Sequence, residues 1–199
     1  MGLSRALQGV AAAAPQAQGL HNGDGSDLRI KTRKLKAKFV NELLKTAFNR
    51  RPDLHVETEG EFVGWRTWSR DNFETHTGPF YHCMDENGRI TCAFRVAKKH
   101  LNGSGNVHGG CFMTFADYCL FALAAPVLQG PGVTVSFSSE FLDAAREGDL
   151  IECTGEVTRA GGSLIFVRGM LISGERALFT FSGTIKRVKR KPPVDAPAS

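Results

Sequence analysis

The stretch Val107-His108-Gly109-Gly110-Cys111-Phe112-Met113-Thr114-Phe115-Ala116-Asp117 sets a histidine, two glycines and one carboxylate around the start of an otherwise apolar helix. The apolar run continues through Tyr118, Cys119, Leu120, Phe121, Ala122, Leu123, Ala124 and Ala125 and stops at Pro126. A helix apolar on all sides is a buried helix. A carboxylate buried there without a partner is costly, so Asp117 is either paired or has a function. It lies on nearly the same helix face as Gly110, ~10 Å further along. From there it could act as a general base on water or attack a carbonyl carbon itself. The alternative is a structural carboxylate bonded to a loop.

The residues before the helix add donors. Asn102-Gly103-Ser104-Gly105-Asn106 is a polar, glycine-rich loop that runs into His108-Gly109-Gly110. Glycines let a ligand approach the backbone closely. Free N–H groups at a helix N-terminus favour negative charge and would stabilise the oxyanion of a carbonyl under attack. A tight strand-to-helix turn would explain the same residues structurally. His108 could be a base, or could shape the loop through backbone bonds. Cys111 beside it raises a thiol nucleophile, although the core residues that follow suggest packing. His55, His76, His82 and His100 lack ligand-like spacing, so neither a metal nor a cofactor is expected.

Several elements must position these groups. Residues 1–28, rich in Ala, Gly and Gln, read as a disordered extension. Within 29–56 the apolar residues Leu35, Phe39, Val40, Leu43, Leu44, Ala47 and Phe48 recur at helical spacing, predicting a basic amphipathic helix. A globular domain over 57–190 and a disordered tail over 191–199 complete the division. Within the domain, Phe80–Met84 and the alternating run around Ile90, Cys92, Phe94 and Val96 flank the turn Asp85-Glu86-Asn87-Gly88, a hairpin signal. After the helix, Val133, Val135 and Phe137 are expected on one strand face, with Thr134, Ser136 and Ser138 on the other. Three more strands follow, separated by Gly-containing turns. Two short strands, one long helix and four hairpin-linked strands predict an α+β domain: an antiparallel sheet of about six strands wrapped around one buried helix.

Composition narrows the setting. The net charge of +5 comes from two clusters, six basic residues in Arg29–Lys38 and five in Lys186–Lys191; the remainder holds 14 basic against 20 acidic residues. Such clusters can attract phosphate-rich partners, but solvated flanks explain them more simply, and no nucleic-acid partner is expected. No run approaches the ~20 apolar residues of a membrane span. Five cysteines without CxxC spacing fit buried free thiols in a reducing cytoplasm.

Asn102, the His108-Gly109-Gly110 turn and Asp117 together resemble the signature of hotdog-fold acyl-CoA thioesterases related to phenylacetate degradation. Gly78-Pro79-Phe80-Tyr81, Val133-Thr134-Val135-Ser136 with Glu140-Phe141-Leu142, and Gly148-Asp149 resemble that family too. The resemblance covers about Phe73 to Lys189. It implies a hotdog fold, a homodimer or dimer of dimers, and hydrolysis of an acyl-CoA thioester at a site between subunits. It makes Asp117 the base or nucleophile and has Asn102 orient the water or the carbonyl. The Gly109 and Gly110 amides would polarise the carbonyl, and His108 would support the loop. Thr134 falls where related enzymes can carry a serine that helps hold the attacking water. The rival reading keeps the fold and pocket without turnover, as a non-catalytic acyl-CoA-binding or sensing domain.

Overall fold

The computed structural model describes residues 54–68 and 72–188. The two extensions and most of the expected amphipathic helix lie outside the described residues. In chain order the elements are β1 (Leu54–Val56), β2 (Arg66–Trp68), α1 (Phe73–Thr77), β3 (Tyr81–Met84), β4 (Ile90–Arg95), a 3-10 turn (Lys98–His100), α2 (Gly109–Ala124), β5 (Gly132–Phe141), β6 (Leu150–Ala160), β7 (Leu164–Ser173) and β8 (Arg176–Arg187). The strands form one antiparallel sheet in the order β1-β2-β3-β4-β6-β7-β8-β5.

The six expected strands are present, and two more extend the sheet. Leu54-His55-Val56, the end of the segment expected to be helical, instead pairs with Arg66-Thr67-Trp68. Three-residue strands leave too short an alternation to read from sequence. Tertiary contacts hold this extension in place: Phe62 stacks on Tyr81 with ring centroids 4.3 Å apart, and Glu61 pairs with Arg95. The β3–β4 hairpin closes as its residues dictate. Asp85 Oδ1 accepts the Asn87 and Arg89 N–H groups at 2.8 Å each, and Gly88 takes the left-handed φ of 80° that the turn requires.

Helix α2 lies against β4, β6, β7 and β8. Its close approach depends on Gly155 of β6 and Gly183 of β8, which lie under Leu123 and Leu120; Gly169, opposite Gly155 on β7, is covered by the Phe181 ring. A Cβ at Gly183 would lie 2.5 Å from Leu120 Cδ1, and one at Gly155 would lie 2.7 Å from Leu123 Cδ1. The helix is therefore seated closely on the sheet at these two glycines. Phe80, Phe94, Phe115 and Tyr118 form the aromatic part of the core. Cys92 and Cys153, opposite each other on β4 and β6, meet Cys119 of α2 in the same core.

Tyr118 and His82 are both buried and share a short bond, Nδ1 to phenolic oxygen 2.6 Å. Tyr118→Phe removes one partner of a buried pair and should destabilise the domain by about 1–3 kcal/mol, as measured by urea denaturation.

One side of α2 remains open. Met113 is exposed, and Thr114, Asp117 and Phe121 are only half-buried. The sheet thus does not enclose the whole helix, and the carboxylate sits on the uncovered stripe.

Candidate active site

Thr134 meets Asp117 because β5 is irregular. Its register against β8 shifts between Thr134 and Ser136, so Val135 is an extra residue, and a bulge of this kind re-aims the side chains beside it. Thr134 turns toward α2, where its hydroxyl donates to Asp117 Oδ1 at 2.6 Å. Past the bulge, Phe137 also turns inward and stacks with Phe181. Strict alternation had placed Thr134 and Phe137 on opposite faces and grouped Val133 and Val135 with Phe137. In the structure Val133 and Val135 are exposed, at 48% and 52%.

His108 is the N-cap of α2. Its Nδ1 accepts the Gly110 N–H at 2.9 Å, and its backbone N–H donates to His100 O at 2.8 Å. The histidine therefore shapes the turn. Gly110 donates to His108, so acting on a carbonyl would require giving up that bond. Gly109 differs, because its N–H has no partner among the described residues. A Cβ at Gly109 would lie 3.1 Å from Cε1 of the exposed Phe141 ring, which would have to shift by a few tenths of an ångström.

Asn102 organises its own loop. Its Oδ1 accepts the Ser104 and Asn106 N–H groups at 2.9 and 3.2 Å, while its backbone pairs with Asn106 at 2.7 Å. The residue is exposed. Its side-chain amide N–H groups have no partner among the described residues. Within one chain, Asp117 is joined to Thr134, and His108 to Gly110; no bond links Asn102 to Asp117.

Cys111 is not poised as a nucleophile. Burial pushes its thiol up to about 11, leaving roughly one part in ten thousand ionised at neutral pH. Cys119 and Cys153 are also raised by burial. Of the five free cysteines only Cys83 is not buried. Ellman titration of the folded protein should therefore release about one thiol promptly, and all five after denaturation.

A cleft of about 360 Å³ opens beside the helix start and reaches His108, Gly110, Cys111 and Thr114. Its other wall holds Phe73 and Thr77 of α1 with Lys99 and His100 of the 3-10 turn. Those four are absent from any sequence-level site. No periodicity marks them, and only folding brings α1 and the 3-10 turn against α2. Phe80, Phe112 and Phe115 are buried core. Trp68 packs half-buried against that core.

Known proteins share this arrangement of sheet and helix. The family model described as thioesterase superfamily matches residues 104–180. That span includes the helix start, Asp117 and Thr134. A Pseudomonas aeruginosa protein provisionally named an esterase is 36% identical over 108 residues, covering 53% of this chain and 81% of its own. In three dimensions, a variant of the phenylacetic acid degradation protein from Thermus thermophilus aligns with a TM-score of 0.53 at 22% identity, over 59% of this chain and all of the other. A Streptococcus mutans protein solved with acetyl-CoA aligns with a TM-score of 0.50 at 22% identity, over 55% of this chain and 91% of that one. The sheet-and-helix arrangement of these proteins is the hotdog fold, and the chain belongs to the thioesterase superfamily.

Proposed function

We propose that this protein hydrolyses an acyl-CoA thioester to the free acid and CoA. The observation that carries the reading is Asp117, a carboxylate on the open stripe of an otherwise apolar helix, held by Thr134 at 2.6 Å. Asp117 supplies the nucleophile, either as a water it deprotonates or as its own carboxylate oxygen. Attack moves charge onto the thioester oxygen, which the Gly109 N–H at the helix N-terminus meets. The tetrahedral adduct then expels the CoA thiolate. Acetyl-CoA in the Streptococcus mutans relative favours a CoA ester as the ligand.

The site is completed by a second copy of the chain. Asp117 does not border the cleft at its own helix start, whose lining on α2 ends at Thr114, and about two helical turns separate Asp117 from the Gly109 and Gly110 amides. β5 ends the sheet, with ten residues and no strand beyond it among the described residues. Such an edge is a template for pairing, and two β5 strands related by a two-fold axis would pair antiparallel. That arrangement would bring Asp117 of one copy toward the helix start and Asn102 loop of the other, as a homodimer or within a dimer of dimers.

Complementation tests this sharing. Asp117→Asn and Asn102→Ala should each be nearly inactive alone. Co-expressed, they should recover about a quarter of wild-type activity, because half the dimers would carry one intact site of two. No recovery would place the whole site within one chain. Thr134→Val, which keeps the shape and removes the hydroxyl, should lower kcat about tenfold, measured as thiol release. The non-catalytic reading would instead give tight acyl-CoA binding without thiol release.

A further inference from the structure

Among the described residues, the cleft at the start of α2 is mostly neutral, with one fixed charge. Its volume of about 360 Å³ is at the low end of the ~300–1,000 Å³ usual for small-molecule pockets, so it suits a short acyl group. Its walls include Phe73, Cys111, Thr77 and Thr114. The threonine hydroxyls are already bonded: Thr77 donates to Phe73 O and Thr114 to Gly110 O, each at 2.8 Å.

His100 adds no charge. Its Nδ1 accepts the Ala97 N–H at 2.9 Å, which leaves the ring proton on Nε2, buried and without a well-formed bond near the Thr77 and Gly78 carbonyls. Burial first, and the Lys99 charge second, hold this histidine below its usual range. Lys99 is then the one lining residue with a fixed charge among the described residues. Its ammonium donates to His76 O at 3.2 Å, which leaves two of its three N–H groups for a ligand.

We propose that this cleft receives the acyl group and that Lys99 selects short acyl groups ending in a carboxylate. This assignment takes the thioester ligand from the reading above, but its test is a binding measurement that needs no turnover. Two non-hydrolysable thioethers of equal carbon count serve as probes, S-(3-carboxypropyl)-CoA and S-butyl-CoA, titrated calorimetrically at low ionic strength. The carboxylated probe should bind the wild-type protein about three- to tenfold more tightly, the range for a charge-assisted contact at a partly exposed site. Lys99→Met should bring the ratio of the two affinities to about one, and Lys99→Glu should reverse it.

A wild-type ratio of one or less would overturn the assignment. So would a ratio that survives Lys99→Met while both probes weaken equally, which would place Lys99 against a CoA phosphate. No binding of either probe would overturn it as well. The hydrolase reading fails separately, through absent thiol release from acyl-CoA substrates, and the affinity ratio can be measured in either case.

Discussion

Asp117→Asn is expected to lower kcat by about 10²–10⁴-fold, the contribution usual for a positioned acid–base group, with the fold intact. Asparagine keeps the shape of aspartate, and its carbonyl oxygen can still accept the Thr134 hydroxyl that Asp117 Oδ1 accepts at 2.6 Å. Stability should therefore stay within about 1 kcal/mol of wild type. Because the carboxylate is needed for the chemical step and not for holding the ligand, KM should change far less than kcat. Asp117→Ala should lose as much activity and also leave the Thr134 hydroxyl without its partner. Thiol release from acyl-CoA, followed alongside thermal unfolding, separates the two effects.

Gly155→Val is expected to have the largest effect on stability. A Cβ at Gly155 would lie 2.5 Å from the Arg168 carbonyl oxygen, 2.7 Å from Leu123 Cδ1 and 3.0 Å from Gly169 Cα. Two of these three neighbours are backbone, so rotamer changes cannot relieve the clash. Either β6 and β7 part or α2 lifts off the sheet at Leu123. Overpacking of this kind costs about 1–3 kcal/mol or more, which for a domain of this size lowers Tm by roughly 5–10 °C. Gly162→Ala is the matched control. Nothing lies within 4 Å of a Cβ there and its backbone is not left-handed, so the substitution should be close to neutral.

Much of this architecture is legible in the sequence because it follows from patterns of one period. The apolar run from Cys111 to Ala125 reads as a buried helix, and the alternation around Ile90–Val96 and Ile151–Val157 reads as strands. What escapes such reading depends on contacts between distant segments. The β5 bulge breaks alternation at Val135, and nothing in Val133-Thr134-Val135-Ser136 announces an extra residue. Thr134 was implicated by family resemblance; its bond to Asp117 depends on that bulge. β1 and β2 are too short for a period, and α1 with Lys99 becomes a cleft wall only after folding. The glycine pair at the helix start illustrates the same limit, since the His108 cap occupies one amide and leaves the other open.

The most direct test of the central claim is free thiol released from a panel of short acyl-CoA esters by the wild-type protein, with Asp117→Asn run in parallel. The account predicts release well above the uncatalysed rate for at least one ester, and its loss in Asp117→Asn while the variant still binds that ester. Saturable binding of the esters with thiol release no faster than in buffer, or equal release by both proteins, would contradict it.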